Sequence, residues 1–155
     1  MHRLKNHKTG LFACIGGCFD RAFFLLEMWG DDLDPQTVSE ALGITPTKSF
    51  RKGDERPKGS QYYRTGLWIF ETGEIPLSED DSGDRLFQKW LASLPGDKAI
   101  WRQLRQYNPQ VRLVLYTDRM NAEFRLLPAA AKELSRRGLK MIVDPYLSLD
   151  DDEDE

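Results

Sequence analysis

The segment that most restricts the fold is Ala22-Phe-Phe-Leu-Leu-Glu-Met-Trp29, a nearly unbroken apolar run ended by Gly30-Asp31-Asp32. It is too short and too aromatic for a helix, and its lack of alternation predicts a strand buried on both faces at the centre of a sheet. The rest of the chain must then supply the cover. Asp34 can cap a helix that begins at Pro35 and ends at Gly43, with Val38, Ala41 and Leu42 as its apolar stripe.

Further elements follow from periodicity. Gln61 to Thr72 alternates with period two, placing Tyr63, Leu67 and Ile69 on one face and Tyr62, Arg64, Trp68 and Phe70 on the other. Leu86, Phe87, Trp90, Leu91 and Leu94 recur at helical spacing before Pro95-Gly96. Asp97 can cap a second helical stretch through Ile100, Trp101 and Leu104, and Val111, Leu113 and Leu115 alternate as in a half-exposed strand. A short extended piece near Glu123 to Arg125 is expected to pair with that strand. A helix from about Pro128 to Gly138 and a strand from Leu139 to Val143 complete the order.

Two segments share one punctuation of strand, Pro-started helix, Gly stop and strand: Leu33 to Ile44 and Leu126 to Leu139. The expected fold is α+β, an antiparallel or mixed sheet with helices packed mainly on one face. The punctuation allows two ferredoxin-like β-α-β units sharing that sheet.

A length of 155 residues suits one such domain, expected over 21–148, between an amino-terminal extension (1–20) and an acidic tail (149–155). Asp150 to Glu155 are all acidic and hold six of the 25 acids, so the first 149 residues carry 22 bases against 19 acids, a net +3. A block of like charge repels itself and buries nothing, so the tail reads as solubilising and disordered. A sharper alternative has it competing for a basic patch on its own domain.

The amino terminus has basic residues before a short apolar run, Leu11 to Phe19, and Ile15-Gly16-Gly17-Cys18 resembles a lipoprotein cleavage box. With a strand starting so soon after Cys18 there is no tether for a lipid anchor. A flexible extension on a cytoplasmic protein, without a membrane partner, is therefore preferred over export. The chain's only histidines and cysteines, His2, His7, Cys14 and Cys18, all precede the domain. Nucleophile–histidine catalysis, histidine-held metals and a disulfide framework are accordingly not expected in the core, and no cofactor motif is present.

Within the domain the charges segregate: Lys48, Arg51, Lys52, Arg56, Lys58 and Arg64, then Glu71, Glu74, Glu79, Asp80, Asp81 and Asp84. The first run, with Tyr62 and Trp68, is the candidate binding surface, because Arg and Tyr concentrate at interface hot spots and long cations can converge on an anion. A protein partner is the preferred reading, and toxin-neutralising immunity proteins are an analogy among small bacterial α+β domains. Single-stranded nucleic acid on a Tyr62, Arg64, Trp68, Phe70 platform is disfavoured by an acidic pI of about 5.5. A carboxylate or Mg²⁺ enzyme using Asp31, Asp32, Asp34 and Asp144 has the least support.

Four stretches together resemble a known bacterial family: Leu33-Asp-Pro-Gln-Thr-Val-Ser-Glu-Ala-Leu-Gly-Ile-Thr-Pro-Thr47, Arg51-Lys-Gly-Asp54, Gly66-Leu-Trp-Ile-Phe70 and Met141-Ile-Val-Asp-Pro-Tyr146. They are similar to the domain of unknown function 4279 (DUF4279), over about residues 22–147. The resemblance implies a small cytoplasmic α+β domain with no assigned activity or catalytic residues.

Overall fold

The computed structural model describes residues 17–147, together with the backbone of two short strands, β1 (Arg3–Lys5) and β2 (Phe12–Cys14), which pair antiparallel. The acidic tail lies outside the described residues, as do His2, His7 and most of the expected extension. At Gly17 the chain is already tied to the fold: the Glu123 N–H donates to the Gly17 carbonyl at 2.9 Å, and Phe19 is buried.

The apolar run becomes β3 (Arg21–Gly30), the middle strand of the main sheet. The Pro35 helix forms as its caps predict, α1 (Pro35–Leu42). The Asp34 carboxylate accepts from the Gln36 N–H, and Gly43 ends the helix at φ 66°, a left-handed state that favours glycine. Then come β4 (Lys48–Phe50), β5 (Gly66–Glu71), β6 (Ile75–Pro76), α2 (Gly83–Ser93) and α3 (Lys98–Leu104). The chain closes with β7 (Gln110–Thr117), α4 (Pro128–Arg137) and β8 (Lys140–Leu147). No helix among the described residues is long and apolar enough to cross a membrane.

Strand order is β4-β5-β3-β7-β8, with β6 beside the start of β3; β7 and β8 are parallel and the other pairs antiparallel. Because β5 lies antiparallel between β3 and β4, the unit β3-α1-β4 is a split β-α-β. Likewise β5 and β7 run in the same direction on either side of β3. This interleaving is the ferredoxin-like order, and α4-β8 adds a second, adjacent β-α-β unit at the edge. Both punctuated segments of the sequence are thus β-α-β units of one sheet. Pro145 is accommodated because, among the described residues, β8 pairs only with β7, leaving its other side without a ladder to break.

Among the described residues, α1, α2, α3 and α4 all contribute to one core with the inward residues of the sheet: Phe24, Leu26 and Met28 of β3, Trp68 of β5, and Leu113 and Leu115 of β7. Arg137 of α4, 3% exposed, closes the layer by donating to the Leu94 and Pro95 carbonyls at 2.9 and 3.1 Å while pairing with Glu133. That satisfies the Leu94 carbonyl at the end of α2 and shares the Pro95 carbonyl with the Trp101 indole N–H, which donates to it at 2.7 Å.

Three expectations need correction. β3 is not buried on both faces: Ala22, Phe24, Leu26 and Met28 are fully buried, whereas Phe23 and Leu25 are only half-buried, since the helices cover one side. The piece after β7 pairs with Gly17 through Ala122 rather than with β7, whose two edges β3 and β8 already occupy. The last strand runs on to Leu147, matching the full length of β7.

Candidate functional site

The candidate surface is built by the connection between β4 and β5. Gly53, at φ 87°, makes the first tight turn; its N–H donates to the Tyr63 carbonyl, and the Tyr63 N–H returns to Asp54, both at 2.9 Å. The Asp54 carboxylate accepts from the Arg51 N–H at 2.8 Å, and the Arg56 N–H bonds to the Gln61 carbonyl at 2.8 Å. These bonds hold the loop as a short hairpin. The directions in which its side chains leave the backbone are therefore set, although nearly all of them are exposed.

The hairpin curls over β4 and encloses a concave pocket of about 810 Å³, whose lining includes Lys48, Phe50, Arg56, Lys58, Tyr63 and Arg64. Phe50 and Tyr63 stack with centroids 3.5 Å apart and planes within 9°, giving an apolar wall. Arg56 sits 5.1 Å from the Tyr63 ring centre and Lys48 5.8 Å from that of Phe50, a cation–π arrangement that holds both charges beside the rings. A second hollow of about 580 Å³ shares Arg56, Gln61 and Arg64 and adds Tyr62, which is 62% exposed. Lys48, Arg56, Lys58 and Arg64 have no carboxylate partner among the described residues.

Arg51 and Lys52 are placed differently. The Arg51 guanidinium pairs with Asp34 at 2.5 Å and the Lys52 ammonium with Asp31 at 2.6 Å. The Thr37 hydroxyl and Arg51 hold the Asp34 carboxyl below its ordinary pKa, and the bonds from Lys52 and Thr65 do so for Asp31. Lys52 is raised in return by the Asp31 carboxylate. These two cations tie the loop to the start of α1, so their charge is already spent locally.

Trp68 requires the plainest correction. It is fully buried, and its indole N–H donates to Ser39 Oγ at 3.0 Å, while Ser39 donates to the Pro35 carbonyl at 2.9 Å. Trp68 is therefore a pillar between β5 and α1, with no exposed ring to offer a partner. Since Phe70 shares its inward face, and Tyr62 and Arg64 precede the strand in the loop, the four-residue stacking platform does not form.

The four candidate carboxylates also do not converge: Asp31, Asp32 and Asp34 share the β3–α1 turn, and Asp144 lies apart from them. Asp31 and Asp34 are engaged as described, and Asp144 sits on β8 beside Val114, at the opposite end of the sheet from Asp31. Asp144 pairs with Arg112 at 2.5 Å, and Arg112 bonds Glu27 at 2.9 Å. Among the described residues no group of three or more His, Cys, Asp or Glu could hold a metal ion. Cys18 is a half-buried free thiol.

Sequence reasoning missed Phe50 and Tyr63 as parts of the surface, and Glu27 with Arg112 as a linked pair. For Phe50 the signal was an aromatic inside the basic run, directly before Arg51. For Glu27 it was a lone acid inside an apolar strand, which in a sheet has to find a cross-strand partner.

The arrangement can do one kind of chemistry well: several unpaired cations around an apolar wall attract an anionic group that also presents apolar surface. No curated protein and no solved structure matches the chain. The profile of the family described as Domain of unknown function (DUF4279) matches residues 21–148, which takes in every strand of the main sheet, all four helices and the β4–β5 pocket, and the chain belongs to that family.

Proposed function

We propose that the protein is a non-enzymatic binding module that docks an acidic segment of a protein partner on the β4–β5 hairpin. One observation carries this reading: Lys48, Arg56, Lys58 and Arg64 gather around the stacked Phe50–Tyr63 pair without acidic partners among the described residues. Charges left unpaired beside an apolar wall favour a ligand with carboxylates and apolar side chains together, as an acidic peptide has. Nucleic acid is the weaker reading, because Phe50 and Tyr63 stack on each other and the Trp68 platform is absent. An immunity-type role, in which this surface neutralises an acidic partner, agrees with the bacterial, cytoplasmic setting that the resemblance implies.

The test is fluorescence anisotropy at low salt with a labelled glutamate-rich peptide containing Leu and Phe, and with oligothymidylate. The peptide is expected to bind, and the triple variant Lys48→Glu, Arg56→Glu, Arg64→Glu to weaken it on the order of 100-fold with an unchanged melting temperature. Absence of peptide binding, an unaffected triple variant, or tighter binding of oligothymidylate than of the peptide would each overturn the proposal.

A further inference from the structure

The face of the main sheet turned away from the helices is apolar and has no covering helix among the described residues. Phe23, Leu25, Leu67, Ile69, Val114 and Ile142 alternate with the core positions of their strands, are half-buried, and stand outside the core cluster. They cover one another and their neighbours: Phe23 meets Tyr116 edge-on at 6.0 Å, and Tyr116 stacks on Tyr146 at 5.2 Å. The charges in the middle of this face are already paired. Glu27, 8% exposed, accepts from Gln110 at 2.6 Å and from Arg112 at 2.9 Å, and Arg112 reaches Asp144.

We infer that this face is an interface between two copies of the chain, packed about a two-fold axis over β3 and β7. Size is the first support. Leaving out β4, whose outward residues line the pocket, the strands β5, β3, β7 and β8 lie about 4.8 Å apart and average roughly eight residues, presenting about 500 Å² of flat sheet, so two copies would bury on the order of 1,000 Å², the threshold for a specific interface. The charge pattern is the second. Outside the pocket wall, outward positions carry Glu27, Glu71 and Asp144 against Arg21, Arg112 and Lys140, so the face has both signs and little net charge. The hairpin pocket, with one sign only, repels a copy of itself; this face does not. The central Glu27–Arg112–Asp144 cluster brings its hydrogen bonds with it, so covering it leaves no lone charge at the centre of the interface.

Sedimentation of the full chain from low micromolar to several hundred micromolar tests the inference. A concentration-dependent dimer is expected, and Ile69→Lys on the face should raise its dissociation constant at least about tenfold. Tyr146→Arg at the half-exposed rim should weaken it in the same direction with an unchanged melting temperature. A monomer throughout overturns the inference, whether residues 1–16 or another protein covers the face. A dimer unmoved by both variants overturns it equally.

Discussion

The two parts of the cationic segment differ more than their proximity suggests. Arg51 and Lys52 lean back on Asp34 and Asp31 and tie the loop to α1, while Lys48, Arg56, Lys58 and Arg64 surround an aromatic pair with no acid beside them among the described residues. The difference arises in the β3–α1 turn, which delivers two carboxylates to one part of the loop and none to the other. Charge next to charge in sequence is therefore a poor guide to a binding surface. What matters is which acids the rest of the fold brings within reach.

That contrast can be broken or sharpened experimentally. The largest effect is expected in the anchor beneath the paired cations. Trp68→Ala should cost about 3–5 kcal/mol in urea unfolding, since a fully buried indole and its bond to Ser39 are lost together. The folded fraction should still bind the acidic peptide with wild-type affinity; a loss of affinity would mean that Trp68 shapes the pocket after all.

A smaller effect separates the two groups of cations directly. The double variant Arg51→Gln, Lys52→Gln should lower the melting temperature by about 1–4 °C and change peptide affinity by less than about threefold. Lys48→Gln with Arg64→Gln should do the reverse, leaving the melting temperature in place and reducing affinity. If both double variants weaken the peptide equally, the distinction drawn from the ion pairs is wrong.

The smallest effect is on pH dependence. Asp31 and Asp34 have folded-state pKa values lowered from 3.8, so the stability they contribute is fully present above that value and is lost as pH falls through the lowered ones. The difference in melting temperature between wild type and Arg51→Gln, Lys52→Gln should therefore shrink as pH falls from 6 to below about 3.8. A gap that stays constant in acid would show that lost packing of the long side chains, rather than pairing with these carboxylates, causes the destabilisation.

Much of the scaffold was legible because its signals are local. Asp34, Pro35 and Gly43 mark α1 through bonds and dihedrals within one turn at either end, and Asp97 and Gly138 act likewise for α3 and α4. The site was legible only in part. Alternation correctly grouped Trp68 with Phe70 on one face of β5, but periodicity says which residues share a face and not which face the helices cover. The same gap let β3 read as buried on both sides.

By itself, the order of residues determined the α+β class, both ends of α1 and α4, the start of α3 and the central place of β3, since capping, turn chemistry and apolar burial act over a few neighbours. Tertiary structure alone decided which lysines and arginines are neutralised, that Phe50 and Tyr63 meet, and which face of the sheet lies open. Those outcomes depend on side chains distant in sequence, such as Asp34 and Arg51 or Glu27 and Arg112, being brought within a hydrogen bond of each other. Packing and hydrogen bonds act over a few ångströms and salt screens exposed charges within about 10 Å, so these energies register that proximity and not the spacing along the chain.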